Sequence, residues 1–325
     1  MKTNIRKPIL YGVVALCLSL FAMSCNTAET NRQRADQLLT LAERGDASAQ
    51  YSLANVYYRG NSGVPRDRVE AARWYRAAAE QGHSSAQYSL GLAFEKGEGL
   101  RMDRAEAAKW YRMAAENGVI AAKLSLGKLY DEGLGVPMDK VEAARWYRMA
   151  AERGNAEARI NLMRLDAERG NAEAQFHLGY AYDIGQEGVY SNKNTAARWY
   201  LMAAQQGHAP SQNNLGSLHY LGDKFTKNLV EAARWYRRAA ELGLAEAQYN
   251  LGVMLQHGQG LPQDLIEASK WYSLAAEQGL PEARAVLPRL FSQQRRGDDR
   301  RGGERQVEEQ AAGGMVVRPV GYYAF

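Results

Sequence analysis

The side chains most suited to chemistry are few and scattered. Cys17 and Cys25 are the two cysteines, and the five histidines are His83, His177, His208, His219 and His257. A zinc site needs three or four ligands at characteristic spacings. Glu173 and His177 share a helix face at i, i+4 but have no third ligand near them in the sequence. His83 and His208 each follow a helix-ending glycine, the place of a turn residue. His219 stands where other copies of the same segment carry Phe94 or Tyr130, which predicts a packed ring. No nucleophile elbow, phosphate loop or zinc-type cysteine spacing occurs. These residues therefore predict no metal, no cofactor and no catalytic centre.

The elements that hold them follow a strict period. Trp-Tyr pairs fall at Trp74-Tyr75, Trp110-Tyr111, Trp146-Tyr147, Trp199-Tyr200, Trp235-Tyr236 and Trp271-Tyr272, at spacings of 36, 36, 53, 36 and 36 residues. A period of this size marks a repeat architecture, in which no unit can bury its apolar face alone. Each unit reads as two helices. In the second, Ala86, Leu90, Gly91 and Phe94 form the apolar stripe of a helix A, and Gly97-Glu98-Gly99 interrupts the chain. Helix B starts at Asp103, which with Glu106 has capping-box spacing; the pair recurs as Asp67/Glu70, Asp139/Glu142, Asn228/Glu231 and Asp264/Glu267. Helix B buries Ala107, Ala108, Tyr111, Ala114 and Ala115 and ends at a glycine suited to the left-handed C′ position: Gly82, Gly118, Gly154, Gly207, Gly243 or Gly279.

Ala247-Gln248-Tyr249-Asn250-Leu251-Gly252, then Gly258 to Asp264, then Ala-x-x-Trp-Tyr together resemble the Sel-one-like repeat family, a relative of the tetratricopeptide repeats. The match covers about residues 45–290. The resemblance implies an all-α fold: a right-handed α/α superhelical solenoid of six 36-residue helix pairs that holds other proteins. In tetratricopeptide relatives the exposed positions of helix A line a concave groove. Carried onto this chain, those positions are Tyr51, Asn55, Tyr58, Tyr88, Leu92, Lys128, Phe176, Tyr180, Asn213 and Ser217. Exposed aromatics beside amides suit peptide or protein surfaces, and packing against the neighbouring helix is the competing role for each.

Residues 46–154 hold repeats one to three and 171–279 repeats four to six. Between them the 53-residue spacing contains a duplication: 151–158, Ala-Glu-Arg-Gly-Asn-Ala-Glu-Ala, returns as 167–174. Residues 155–170 are thus an extra single helix, predicted to kink or break the array. A capping helix is expected over 30–45, with Leu38, Leu39, Leu41 and Ala42 facing the first repeat. A second is expected over 280–295, where Pro281 is tolerated early and Pro288 replaces the usual glycine.

The two ends carry different signals. Residues 1–24 read as a signal peptide, with a basic start and an apolar run from Ile9 to Phe21 that is short for a bilayer span. Ala22-Met23-Ser24-Cys25 resembles the lipobox of bacterial lipoproteins, which implies lipid (palmitate) on Cys25, a tether over 25–29 and, with Asn26 following, sorting to the outer membrane facing the periplasm. An ordinary signal peptide is the plainer alternative. The formal charge of +5 falls to +2 once Lys2, Arg6 and Lys7 leave with the signal, so bulk charge does not predict nucleic-acid binding. Residues 296–325 begin as a polar, disordered tail and end Tyr323-Ala324-Phe325. That ending resembles the carboxyl end of outer-membrane barrel proteins, which periplasmic PDZ domains capture; an incidental sticky tail is the alternative. The chain resembles family members that organise envelope assemblies, which implies a non-catalytic scaffold binding proteins or peptides and assembling or regulating envelope complexes. A secreted or surface-exposed protein binding host proteins is the alternative. A cell-wall or β-lactam-binding enzyme ranks lower, because no nucleophile and base pair can be read.

Overall fold

A computed structural model describes residues 33, 35–60, 64–186, 188–222 and 224–301. The expected signal peptide, Cys25, the expected tether, residues 30–32 and 34 of the expected first cap and the tail beyond 301, with Tyr323 and Phe325, lie outside the described residues. All regular structure among the described residues is helical. The chain divides into two compact units, Met1–Ala158 and Arg159–Phe325.

The first unit contains α1 (35–43), α2 (Ala47–Arg59), α3 (Arg68–Glu80), α4 (Ser84–Lys96), α5 (Arg104–Glu116), α6 (Ile120–Glu132) and α7 (Lys140–Ala151). The unit boundary falls within α8 (Ala156–Glu168). The second unit continues with α9 (Ala172–Ile184), α10 (Lys193–Gln205), α11 (Ala209–Leu221), α12 (Leu229–Glu241), α13 (Ala245–His257), α14 (Leu265–Glu277) and α15 (Pro281–Arg301). Helix α15 runs past the expected end at 295, and Pro288 sits inside it. Ala283 and Leu290, both buried without exposure, anchor it on either side of the proline.

Helix pairs form where the sequence places them, for a local reason. The Asp67 side chain accepts from the N–H groups of Val69 and Glu70, and Asp103, Asp139 and Asp264 do the same in repeats two, three and six; these are donors a helix start leaves unpaired. The glutamate of the expected capping box does not reach back. The Asp67 N–H is already given to Tyr57 O at 2.9 Å, and that of Asp103 to Phe94 O at 2.9 Å, closing each helix hairpin at its turn. Glu70, Glu106 and Glu231 instead pair with Arg73, Lys109 and Arg234 one turn on.

The core is a row of tyrosines. Tyr111, Tyr147, Tyr200, Tyr236 and Tyr272 are fully buried, each set among alanines of its own helix. Their rings rest on a glycine of the preceding helix: a Cβ at Gly91 would stand 2.6 Å from the Tyr111 ring. Only a side chain ending at hydrogen leaves room for that approach. Gly118 serves a different need, because its φ of 89° lies in the left-handed region and nothing stands near an added Cβ.

Adjacent repeats are joined by an amide relay. Gln50 donates to Ala42 O, Gln87 to Ala79 O, Gln175 to Ala167 O, Gln212 to Ala204 O and Gln248 to Ala240 O, at 2.9 to 3.3 Å. Each acceptor is a carbonyl in the last turn of the preceding helix, where intrahelical donors run out. The glutamine's own oxygen then accepts from the C-cap of its partner helix: Gln81 to Gln50, Asn117 to Gln87, Gln206 to Gln175 and Gln278 to Gln248. In the fifth repeat that C-cap is Leu242, and the buried Gln212 oxygen has no hydrogen-bond partner among the described residues.

The relay also shows what the single helices do. In the first unit α1 packs Leu38, Leu39 and Ala42 against Ala49, Leu53, Tyr57 and Trp74. Leu41, expected on the same face, is 45 % exposed, because it lies about 100° around the helix from Ala42. In the second unit α8 packs Ile160 and Ala167 against Leu178 and Ala181, with Met163 beside Tyr182, Val189 and Trp199. Its Ala167 carbonyl receives Gln175 as Ala42 receives Gln50. The extra helix therefore closes the first face of repeat four as α1 closes that of repeat one.

Candidate ligand-binding surface

The tyrosine hydroxyls define the inner edge of each repeat. Tyr111 donates to Glu95, Tyr147 to Asp131, Tyr200 to Asp183 and Tyr272 to Gln256, all in the last turn of helix A. In repeats one and five that position is Tyr58 or Tyr220. There the core hydroxyl turns one helical turn back, to Asn55 or Ser217. Tyr58 and Tyr220 reach forward to Glu98 and Gln259 of the next repeat's loop. Asp131 and Asp183 are buried, and Lys140 and Lys193 neutralise them. An unpaired carboxylate would not be tolerated there.

The ten expected groove residues separate by unit. In the first, Tyr51, Asn55, Tyr58, Tyr88, Leu92 and Lys128 are half-buried. Tyr51 stacks on His83 at 4.7 Å between centroids, Tyr88 lies 5.6 Å from Tyr111, and Lys128 pairs with Glu157 at 2.6 Å. In the second unit Tyr180 is half-buried, but Phe176, Asn213 and Ser217 are buried, at 2 %, 0 % and 1 % exposure. Those three do not offer the exposed groove contacts expected of them. Asn213 receives Asn250 at 3.0 Å, Ser217 meets Tyr236 at 3.1 Å, and Phe176 is enclosed by the rings of His177, Tyr180, Tyr200 and His208.

In the first unit Asn55, Tyr58 and Leu92 converge on a cavity of about 160 Å³ between repeats one and two. Tyr75 and Ser89 add hydroxyls, Ala71, Ala72 and Ala93 add apolar floor, and Arg59, Arg68, Lys96 and Glu98 add charge. Glu98 accepts from Tyr58 at 2.8 Å and pairs with Arg68 at 2.9 Å. The hydrogen bond to Glu98, then burial, push the Tyr58 phenol above its ordinary pKa. Sequence reasoning missed the four charged residues. Arg59 and Lys96 hold the same repeat position, the last before a left-handed glycine; later repeats place Glu132, Ile184, Leu221 or His257 there.

The histidines are mostly structural. His83 and His208 are N-caps of α4 and α11, accepting from Ala86 N and Ser211 N. His208 also contacts Glu173 at 3.0 Å, as does His177, so that carboxylate lies between two imidazoles. Among the described residues no group of three or more His, Cys, Asp or Glu forms a candidate metal site. His219 packs edge-on to Phe225 at 4.9 Å, and burial lowers its pKa below 6.5.

The Sel1 repeat signature matches residues 47–83, 84–119, 120–155, 172–208, 209–244 and 245–280. The chain belongs to the Sel1 repeat family. All six helix pairs above are Sel1 repeats, and α8 lies in the interval the signature skips. Sel1 repeat proteins serve as protein-interaction scaffolds. Similar solved structures include a protective antigen of uropathogenic Escherichia coli with an SLR fold, at 34 % identity over 79 % of this chain, with a TM-score of 0.41. The chain spans 59 % of that protein's length. A Sel1 repeat protein from Oxalobacter formigenes is 30 % identical over 79 % of this chain and 95 % of its own, with a TM-score of 0.38. No curated protein matches the chain.

Proposed function

We propose that this Sel1 repeat chain is a non-catalytic scaffold, held by lipid on Cys25 at the outer membrane and facing the periplasm, where it assembles or regulates envelope complexes. The observation that carries the binding role is the first unit's inner face. Tyr51, Tyr58 and Tyr88 remain half-buried on helices A of repeats one and two, and Tyr58 lines a cavity with Asn55 and Leu92. Tyrosine offers large contact area at low entropic cost together with a hydroxyl for orientation. The anchoring role rests on the apolar run of 9–21 and the Ser24-Cys25 ending. No helix among the described residues is long and apolar enough to cross a membrane, and lipid on Cys25 supplies membrane affinity without one.

Crosslinking of the full chain in its native cell, followed by affinity purification, tests the binding role. Defined partners lost from a Tyr51→Ala/Tyr88→Ala variant support it; the same proteins from both chains refute it. Palmitate labelling that disappears in Cys25→Ser supports the anchor, and labelling retained in that variant removes it. The alternative reading is surface display with binding of host proteins. Protease protection on intact cells supports the periplasmic reading, and cleavage on intact cells favours this second one.

A further inference from the structure

We infer that the cavity between repeats one and two receives a carboxylate carried on a peptide, so that partners dock there through an acidic residue. The inference rests on the scaffold reading and names the chemistry of its ligand. Four charged side chains line the cavity, and they do not balance. Glu98 is engaged by Arg68 and Tyr58. Arg59 and Lys96, each at the end of a helix A, have no ion-pair partner among the described residues. The lining carries three cations against one anion.

Size and polarity narrow the ligand. A volume of about 160 Å³ equals roughly five waters at about 30 Å³ each, enough for one amino-acid side chain. Leu92, Ala71, Ala72 and Ala93 give an apolar floor that a small hydrated anion would leave unused and an aliphatic stem would cover. Asn55 accepts from Tyr75 at 2.9 Å, and Ser89 lies beside them as a further hydrogen-bonding group. A glutamate side chain has this combination of charge and stem. Repeats two to six cannot reproduce the pair, because the positions equivalent to Arg59 and Lys96 are both basic only across repeats one and two.

The test is an array of decapeptides with acidic residues at varied positions, each beside its Gln or Asn counterpart, a phosphoserine version, and free-acid and amide ends, probed with the full chain. Retention of the carboxylate peptides over their amide counterparts is expected. Arg59→Ala/Lys96→Ala is expected to weaken it about tenfold or more, the scale of one lost charge-assisted hydrogen bond. Glu98→Gln, which removes the competing carboxylate, tightens it. Both cations are exposed, and an unchanged circular dichroism melt of the double variant establishes that the fold is intact. Equal retention of neutral peptides, acidic binding indifferent to Arg59 and Lys96, or preference for phosphoserine together with displacement by inorganic phosphate overturns the proposal. A blank array alongside crosslinked partners that depend on Tyr51 and Tyr88 overturns the carboxylate site and leaves the scaffold reading standing; a blank in both removes both.

Discussion

Replacing Leu242 with glutamine should stabilise the second unit. Leu242 is the C-cap of α12 at φ −79° and ψ 0°, nearly the conformation of Gln81 at φ −83° and ψ 4°, and is 57 % exposed. Gln81 completes the relay by donating to Gln50 at 2.7 Å. Leu242 cannot, and Gln212, which is 5 % exposed, keeps a buried oxygen without a hydrogen-bond partner among the described residues. A buried acceptor left unsatisfied costs about 1–3 kcal/mol. Ordering the new side chain opposes the gain by up to about 1.5–2 kcal/mol. The net expectation is about 1 kcal/mol in favour of Leu242→Gln, a shift of roughly 2–4 °C in Tm. The assay is urea denaturation followed by far-ultraviolet circular dichroism, read as a higher midpoint at unchanged slope. Leu242→Ala, which removes the exposed leucine without adding an amide, should not show the gain, and Gln81→Leu should create the same defect in the first unit. A midpoint for Leu242→Gln no higher than that of Leu242→Ala would refute the relay as a source of stability.

Two further substitutions probe other buried polar groups. Lys193→Met leaves Asp183, 1 % exposed, with its charge opposed only by weaker partners such as Tyr200, and should cost about 3–5 kcal/mol. Adding Asp183→Asn should recover most of that loss, and a single variant costing under about 1 kcal/mol would contradict the pairing. Burial disfavours the charged form of His219, outweighing the Thr226 carbonyl and Glu231, which both favour it. Its folded pKa lies below the unfolded 6.5, so its contribution to stability is kept at higher pH and lost as the pH falls from about 6.5. His219→Phe, which places there the residue that repeat two carries at the equivalent position, Phe94, should stabilise the second unit and flatten its stability profile in that range. An unchanged slope would show that the proton binds elsewhere.

How much could be read in advance depended on how far each interaction reaches along the chain. The Asp67 and Asp103 caps, the left-handed Gly118 and the buried Tyr111 involve neighbours within one helix or one turn, and periodicity exposes them. The contact of Gly91 with Tyr111 follows from a small residue facing a large one at every repeat. The burial of Asn213 was hidden because its partner, Asn250, belongs to the next repeat and looks like an ordinary polar residue of an exposed helix face. The capping-box glutamates misled because the amide they were to meet is taken by Tyr57 or Phe94. Arg59 and Lys96 are legible as a pair of basic helix ends, but only the packing of α2 and α4 around one cavity gives the pair a purpose.

The role shared by α1 and α8 bears on how such a chain can change length. Ala42 and Ala167 present equivalent carbonyls to Gln50 and Gln175, and the stretch from 151 to 158 is copied at 167 to 174. The molecule thus contains a second starting point in its interior. A lineage can splice a whole cassette in or out behind such a lid, because an inserted block that brings its own opening helix supplies the carbonyl and the apolar face that its first repeat needs.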